Sequence, residues 1–140
     1  MTKLLLAVDG SDCANRAAAF VAALMRDGHP IEVELVNVQP AVSGNVATFA
    51  PKGSVEDFHR EEGLKALRPA LALLDTGKVP VRPHVLVGPA AETIVQFAAD
   101  NGVEQIVLGT RGLGKLGRFL LGSVATNVIE RASVPVTLIK

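Results

Sequence analysis

The 140-residue chain contains no tryptophan and no tyrosine, and five phenylalanines are its whole aromatic content. Proteins that stack the bases of single strands need several exposed rings, so this composition argues against that role. A net charge of one sign is missing too: 14 basic and 14 acidic residues cancel. That balance argues against a general nucleic-acid or membrane-surface binder. A lone cysteine, Cys13, rules out an internal disulfide and fits a reducing cytoplasm. No apolar run approaches the roughly 18–20 residues that cross a bilayer. MTKLLLAVDGSD at the start lacks the apolar length and cleavage site of a secretion signal. What is present suits one globular domain spanning 1–140: 49% of the residues are hydrophobic, enough at this length for a core.

Strand and helix patterns alternate along the chain. Lys3–Asp9 is a short apolar run, as expected of a strand buried on both faces. Ser11 or Asp12 can cap the alanine-rich helix that follows, and Gly28 closes it. Ile31–Pro40 reads as a second strand. Residues 41–53 show no period and read as a functional loop or lid. Residues 54–76 read as a helix, with a kink expected near Lys65 because Pro69 lacks an amide donor. Val81–Gly88 is a third strand, which Pro83 assigns to a sheet edge. A short helix opens at Pro89 and ends before Gly102. Glu104–Gly109 is a fourth strand, Ser123 is placed to cap a last helix, and Val134–Lys140 is a fifth strand. Such alternation predicts a doubly wound, Rossmann-like α/β fold, a five-stranded parallel sheet in the order 3-2-1-4-5. Ligands of such sheets bind at the C-terminal strand ends, where the strand order reverses.

The segment GTRGLGKLGRFLLGS, Gly109–Ser123, holds five glycines, three basic residues and no acid. Three phosphate-binding patterns overlay it. Gly112, Gly114 and Gly117 match GxGxxG, but that motif belongs after the first strand of its unit, with an acid about 20 residues on. Gly109 to Lys115 follow the Walker pattern, but Leu116 replaces the magnesium-binding hydroxyl and no helix follows at once. The third pattern, Gly109-x2-Gly112-x9-Gly122-Ser123, alone satisfies a strand–loop–helix context. Its small residues let backbone amides approach an anion, and the helix start adds a positive dipole end.

With AVDGS at the first strand, VGPAAETI after the third, and this glycine–serine spacing near the end, the chain resembles the ATP-binding branch of the universal stress protein family. The resemblance covers essentially the whole chain and implies a role for individual residues. Asp9 would contact the adenosine moiety, and Val38 with Ala7 would line the adenine pocket. Leu108, Gly109 and Gly112 would follow the ribose and phosphates. Gly122, Ser123 and Val124 would hold the phosphates at the helix start. The resemblance further implies ATP, with Mg2+, as ligand and a homodimer through Val134–Lys140. Two positions depart from the family pattern: Asn37 stands where histidine is common, and Gln105 where aspartate is.

Each feature also has a plainer reading. Arg111, Lys115 and Arg118 either neutralise phosphate charge or form a solvated loop face. Asp9 is also suited to capping a helix, and Cys13 to being an inert small residue. Phe119–Leu121 reads as a loop anchor or contact surface. His29, His59 and His84 share no ligand spacing, so no metal site is expected, and the stretch His59–Glu62 reads as solvated surface. No catalytic residue is assigned. The regulatory reading therefore stands beside two others: a slow ATPase or autophosphorylating enzyme using Ser123 or Thr110, and a nucleotide-free interaction scaffold.

Overall fold

The structure is a computed structural model describing residues 1–41, 54–77, 80–113 and 121–140. All but the first residue of the expected lid at 41–53, the basic residues Lys115 and Arg118, and Phe119 and Leu120 lie outside the described residues. The described elements are β1 (Thr2–Ala7), α1 (Asp12–Arg26), β2 (Ile31–Gln39), α2 (Ser54–Leu74), β3 (Val81–Val87), α3 (Ala90–Asp100), β4 (Gln105–Gly109), α4 (Ser123–Arg131) and β5 (Val136–Ile139). All strand pairs are parallel and the sheet order is β3-β2-β1-β4-β5, as the alternation predicts.

Central position explains the unbroken leucines of β1. Successive side chains of a strand point to opposite faces, so Leu4 and Leu6 enter one core layer and Leu5 the other. Burial of each contributes about 1.5–3 kcal/mol. The first layer packs Val33, Leu35 and Val107 beneath α1 and α2, through Ala17, Val21, Met25 and Leu67. The second packs Val36, Ile106 and Leu108 beneath α3 and α4, through Ile94, Ala98, Ala125 and Val128. No helix among the described residues is long and apolar enough to cross a membrane.

Several expectations need correction at the residue level. Of the two capping candidates for α1, Ser11 is the cap: its hydroxyl accepts from the Ala14 amide at 3.2 Å. α2 ends at Leu74, two residues before the expected end at residue 76, with Pro69 inside it. His59 is not on a solvated surface. It shares an inward stripe with Gly63, Leu67, Ala70 and Leu74 and is only 6% exposed. The helical period overrides the polarity of its neighbours. α4 is capped by Gly122, whose extended backbone (ψ 159°) suits that position, and Ser123 is the first helical residue.

At the β2–β3 edge the sheet carries a charged network. Glu34 accepts from Arg82 Nε at 3.0 Å and pairs with His84 Nε2 at 2.6 Å, while Arg82 also reaches Glu32 at 3.0 Å. Burial pushes the Glu34 carboxyl up, but hydrogen bonds from His84 and Arg82, with their charges, outweigh it and hold the group below its ordinary value. The network adds side-chain ties between β2 and the edge strand β3 to the seven-residue ladder that already joins them. Pro83 sits on that edge strand, where β2 is its only neighbour among the described strands and a missing amide is tolerated.

Candidate functional site

The strand order reverses between β1 and β4. The chain leaves β1 for α1 on one face and leaves β4 for α4 on the other. The two exits diverge and open a crevice at the C-terminal strand ends. A cavity of about 290 Å³ occupies it, near the lower bound of ligand sites, which run to roughly 300–1,000 Å³. All ten residues singled out in the sequence line it: Ala7, Asp9, Val38, Leu108, Gly109, Arg111, Gly112, Gly122, Ser123 and Val124. A larger depression, about 760 Å³, lies at the opposite end of the sheet around Leu71, Asp75 and Pro80. Among the described residues Asp75 is the only charged one lining it, and these residues gather no converging polar groups of the kind that orient a ligand.

One wall of the crevice is apolar, formed by Ala7, Val36 and Val38 from the central strands, Leu108 from β4, and Ala90 and Ile94 from α3. The other wall is polar. Asp9 lies just beyond the β1 ladder, and its carboxylate accepts from the Ser11 amide at 2.9 Å and the Leu113 amide at 3.2 Å. It thereby ties the β1–α1 turn to the glycine segment, 104 residues away. Gly112 fits beneath it because it has no side chain: a Cβ there would lie 2.5 Å from Asp9 Oδ2.

The neck of the glycine segment is pinned by backbone bonds. Thr110 donates to the Ile139 carbonyl at 2.8 Å, and the Gly122 amide donates to the Thr110 carbonyl at 2.7 Å. The chain therefore departs and returns at one point, delivering the start of α4 to the pocket. No side chain caps that start, and its first turn holds no acid, so its leading amides and dipole are available to an anion. Gly109 plays a part the sequence did not reveal. A Cβ there would meet Cys13 Sγ at 2.8 Å and the Cys13 backbone carbon at 3.1 Å. The glycine is required by the packing of α1 on β4 as much as by any ligand.

Among the described lining residues Asp9 and Arg111 are the only charged ones. Among the described residues no group of His, Cys, Asp or Glu is arranged to hold a metal ion. Of the two family departures, Gln105 donates to the Thr137 hydroxyl at 2.6 Å across β4–β5, and Asn37 is buried beside the end of β1. Sequence reading missed Val36, Ala90 and Ile94. A signal existed for each: Val36 precedes Val38 by one strand period, and Ala90 and Ile94 are one helical turn apart.

A doubly wound parallel sheet with a half-apolar, half-amide crevice at its switch point defines a Rossmann-like α/β domain. The model of the universal stress protein family matches residues 1–140, and the chain belongs to that family. A universal stress protein of Thermus aquaticus is 36% identical, over 98% of this chain and 97% of its own length. Among solved structures, protein MJ0577, from Methanocaldococcus jannaschii, matches with a TM-score of 0.83 and 30% identity, covering 99% of this chain and 95% of the other. A universal stress protein from Archaeoglobus fulgidus, solved in complex with dAMP, matches with a TM-score of 0.71 and 29% identity, covering 100% of this chain and 98% of the other.

Proposed function

We propose that the chain is a cytoplasmic, ATP-binding regulatory module, residues 1–140 acting as one nucleotide-binding domain in a stress response. The observation that carries this reading is the convergence of an apolar wall and an uncapped helix start on one cavity. An adenine ring suits the side formed by Ala7, Val38 and Leu108. Asp9 then faces the ribose hydroxyls, which can donate to the carboxylate oxygens. Gly112, Gly122, Ser123 and Val124 offer backbone approach and helix-start amides to the phosphates, with Arg111 as the nearby cation. Bound ATP, with Mg2+ carried on its phosphates, supplies negative charge to a helix start that has none of its own. The dAMP complex of the Archaeoglobus relative supports an adenine nucleotide as the class of ligand.

Regulation is favoured over catalysis because Asp9, the one acid among the described lining residues, is already engaged by two backbone amides. Efficient phosphoryl transfer needs a positioned base and metal ligands. Occupancy instead acts by stabilising one arrangement of the two pocket walls, to the extent that the ligand binds that arrangement better. The apolar edge strand β5 supports a homodimer paired through Val134–Lys140; sedimentation tests this against the 14.6 kDa of one chain. The nucleotide is tested by denaturing freshly purified protein and identifying what it releases by chromatography. ATP at close to one per chain is expected; released ADP favours the enzyme. No nucleotide, together with no thermal shift on adding Mg-ATP, favours the scaffold.

A further inference from the structure

Asn37 is only 3% exposed, and its amide is engaged at both ends. Nδ2 donates to the Val8 carbonyl at 2.9 Å, and Oδ1 accepts from Gln39 Nε2 at 2.7 Å. The β1–β2 register ends at the pair Ala7–Val36, and one bond further the Val8 amide reaches the Val36 carbonyl at 2.9 Å. Beyond that point a side chain, Asn37, holds the end of β1.

The Val8 carbonyl and the Asp9 amide belong to one planar peptide unit. Fixing that carbonyl therefore fixes the plane from which Asp9 departs. Asp9 has little tolerance for rotation: its carboxylate must meet the Ser11 and Leu113 amides at 2.9 and 3.2 Å. Its Oδ2 also lies 2.5 Å from where a Gly112 Cβ would stand.

We infer that Asn37 is a positioning residue for the nucleotide site, acting through the Val8 carbonyl to aim the Asp9 carboxylate at the glycine segment and the ligand. The ligand part of this inference rests on the nucleotide reading above. Asn37 does not line the pocket and touches no ligand itself; its strand neighbour Val38 does the lining.

The test compares Asn37→Leu, Asp9→Asn and the double variant. In nucleotide-free protein, the Leu113 amide proton resonance reports the bond to Asp9. It is expected to move upfield in Asn37→Leu, in the direction seen for Asp9→Asn, with no further move in the double variant. Titration with Mg-ATP is expected to show about tenfold weaker binding for Asn37→Leu, and at most about a twofold effect once Asp9 is replaced. If Asn37→Leu does not fold, Asn37→Ser, too short to reach the carbonyl, carries the same expectations. A lowered melting temperature with the Leu113 resonance unmoved overturns the proposal, as do additive effects on affinity. If the wild-type protein binds no nucleotide, the functional reading fails, and the Leu113 resonance still decides whether Asn37 aims Asp9.

Discussion

Replacing Gly109 with alanine separates the two reasons for a glycine at the end of β4. The new Cβ meets Cys13 Sγ at 2.8 Å, the Cys13 backbone carbon at 3.1 Å and Cys13 Cβ at 3.2 Å. The sulfur can rotate aside; the backbone carbon moves only if the first turn of α1 moves with it. Overpacking of this kind costs about 1–3 kcal/mol. For a chain of this size that is a fall in Tm of roughly 3–10 °C. The shift also carries Ser11, and with it one of the two amides that hold Asp9, so nucleotide affinity falls alongside stability. Thermal unfolding of Gly109→Ala, of Cys13→Ala and of the double variant provides the measurement. Removing the sulfur relieves the 2.8 Å contact and leaves the 3.1 and 3.2 Å contacts, so the double variant recovers only part of the loss. A Tm within about a degree of wild type refutes the packing argument, and complete recovery in the double variant shows that the thiol alone sets the limit.

Replacing Glu34 with glutamine leaves His84 without its carboxylate and Arg82 with Glu32 alone. Removing one partner of a buried pair is costly, but Arg82 is half exposed, so the expected loss is about 1–2 kcal/mol at neutral pH. Because the folded-state carboxyl is held below its ordinary value of 4.5, that contribution is complete above this value and is lost as pH falls through the folded one. Wild type and variant should therefore converge in urea unfolding as pH drops from 7 toward 3; a constant gap contradicts the assignment. Val38→Phe fills the apolar side of the cavity and is expected to weaken ATP and adenosine alike by at least about tenfold, with little change in Tm; unchanged calorimetric affinity places the base elsewhere. Ser123→Asp puts a negative charge in the first turn of α4, raising helix stability by about 0.3–1 kcal/mol while repelling phosphate. A higher Tm with weaker ATP binding and unchanged adenosine binding is expected, and tighter ATP binding contradicts the phosphate placement.

How much of this was legible in the chain depended on how local each cause is. The strand–helix alternation, the double burial of Leu4–Leu6 and the edge position of Pro83 follow from runs of a few residues, and the sheet order followed from them. The pocket residues were legible because spacing and family resemblance both marked them. Contacts that join distant segments were not. Nothing around Gly109 reveals that Cys13 packs against it, and no local pattern links Asp9 to Leu113. The polar stretch beginning at His59 hid an inward helical stripe, since one buried position in a charged run leaves little signal. Gly122 and Ser123 are both good helix-cap residues, and the choice between them is made by the Gly122–Thr110 bond that closes the neck. Asn37 was legible only as a departure from the family pattern; its bond to Val8 required the strand pairing to be known.

Isothermal titration of nucleotide-stripped protein with Mg-ATP tests the central claim most directly, with adenosine and inorganic phosphate titrated separately as the two halves of the ligand. The account predicts saturable binding at one ATP per chain, weaker binding of adenosine, and loss of the ATP advantage in Ser123→Asp. Absence of ATP binding to folded wild-type protein, or ATP binding left unchanged by both Val38→Phe and Ser123→Asp, would contradict it.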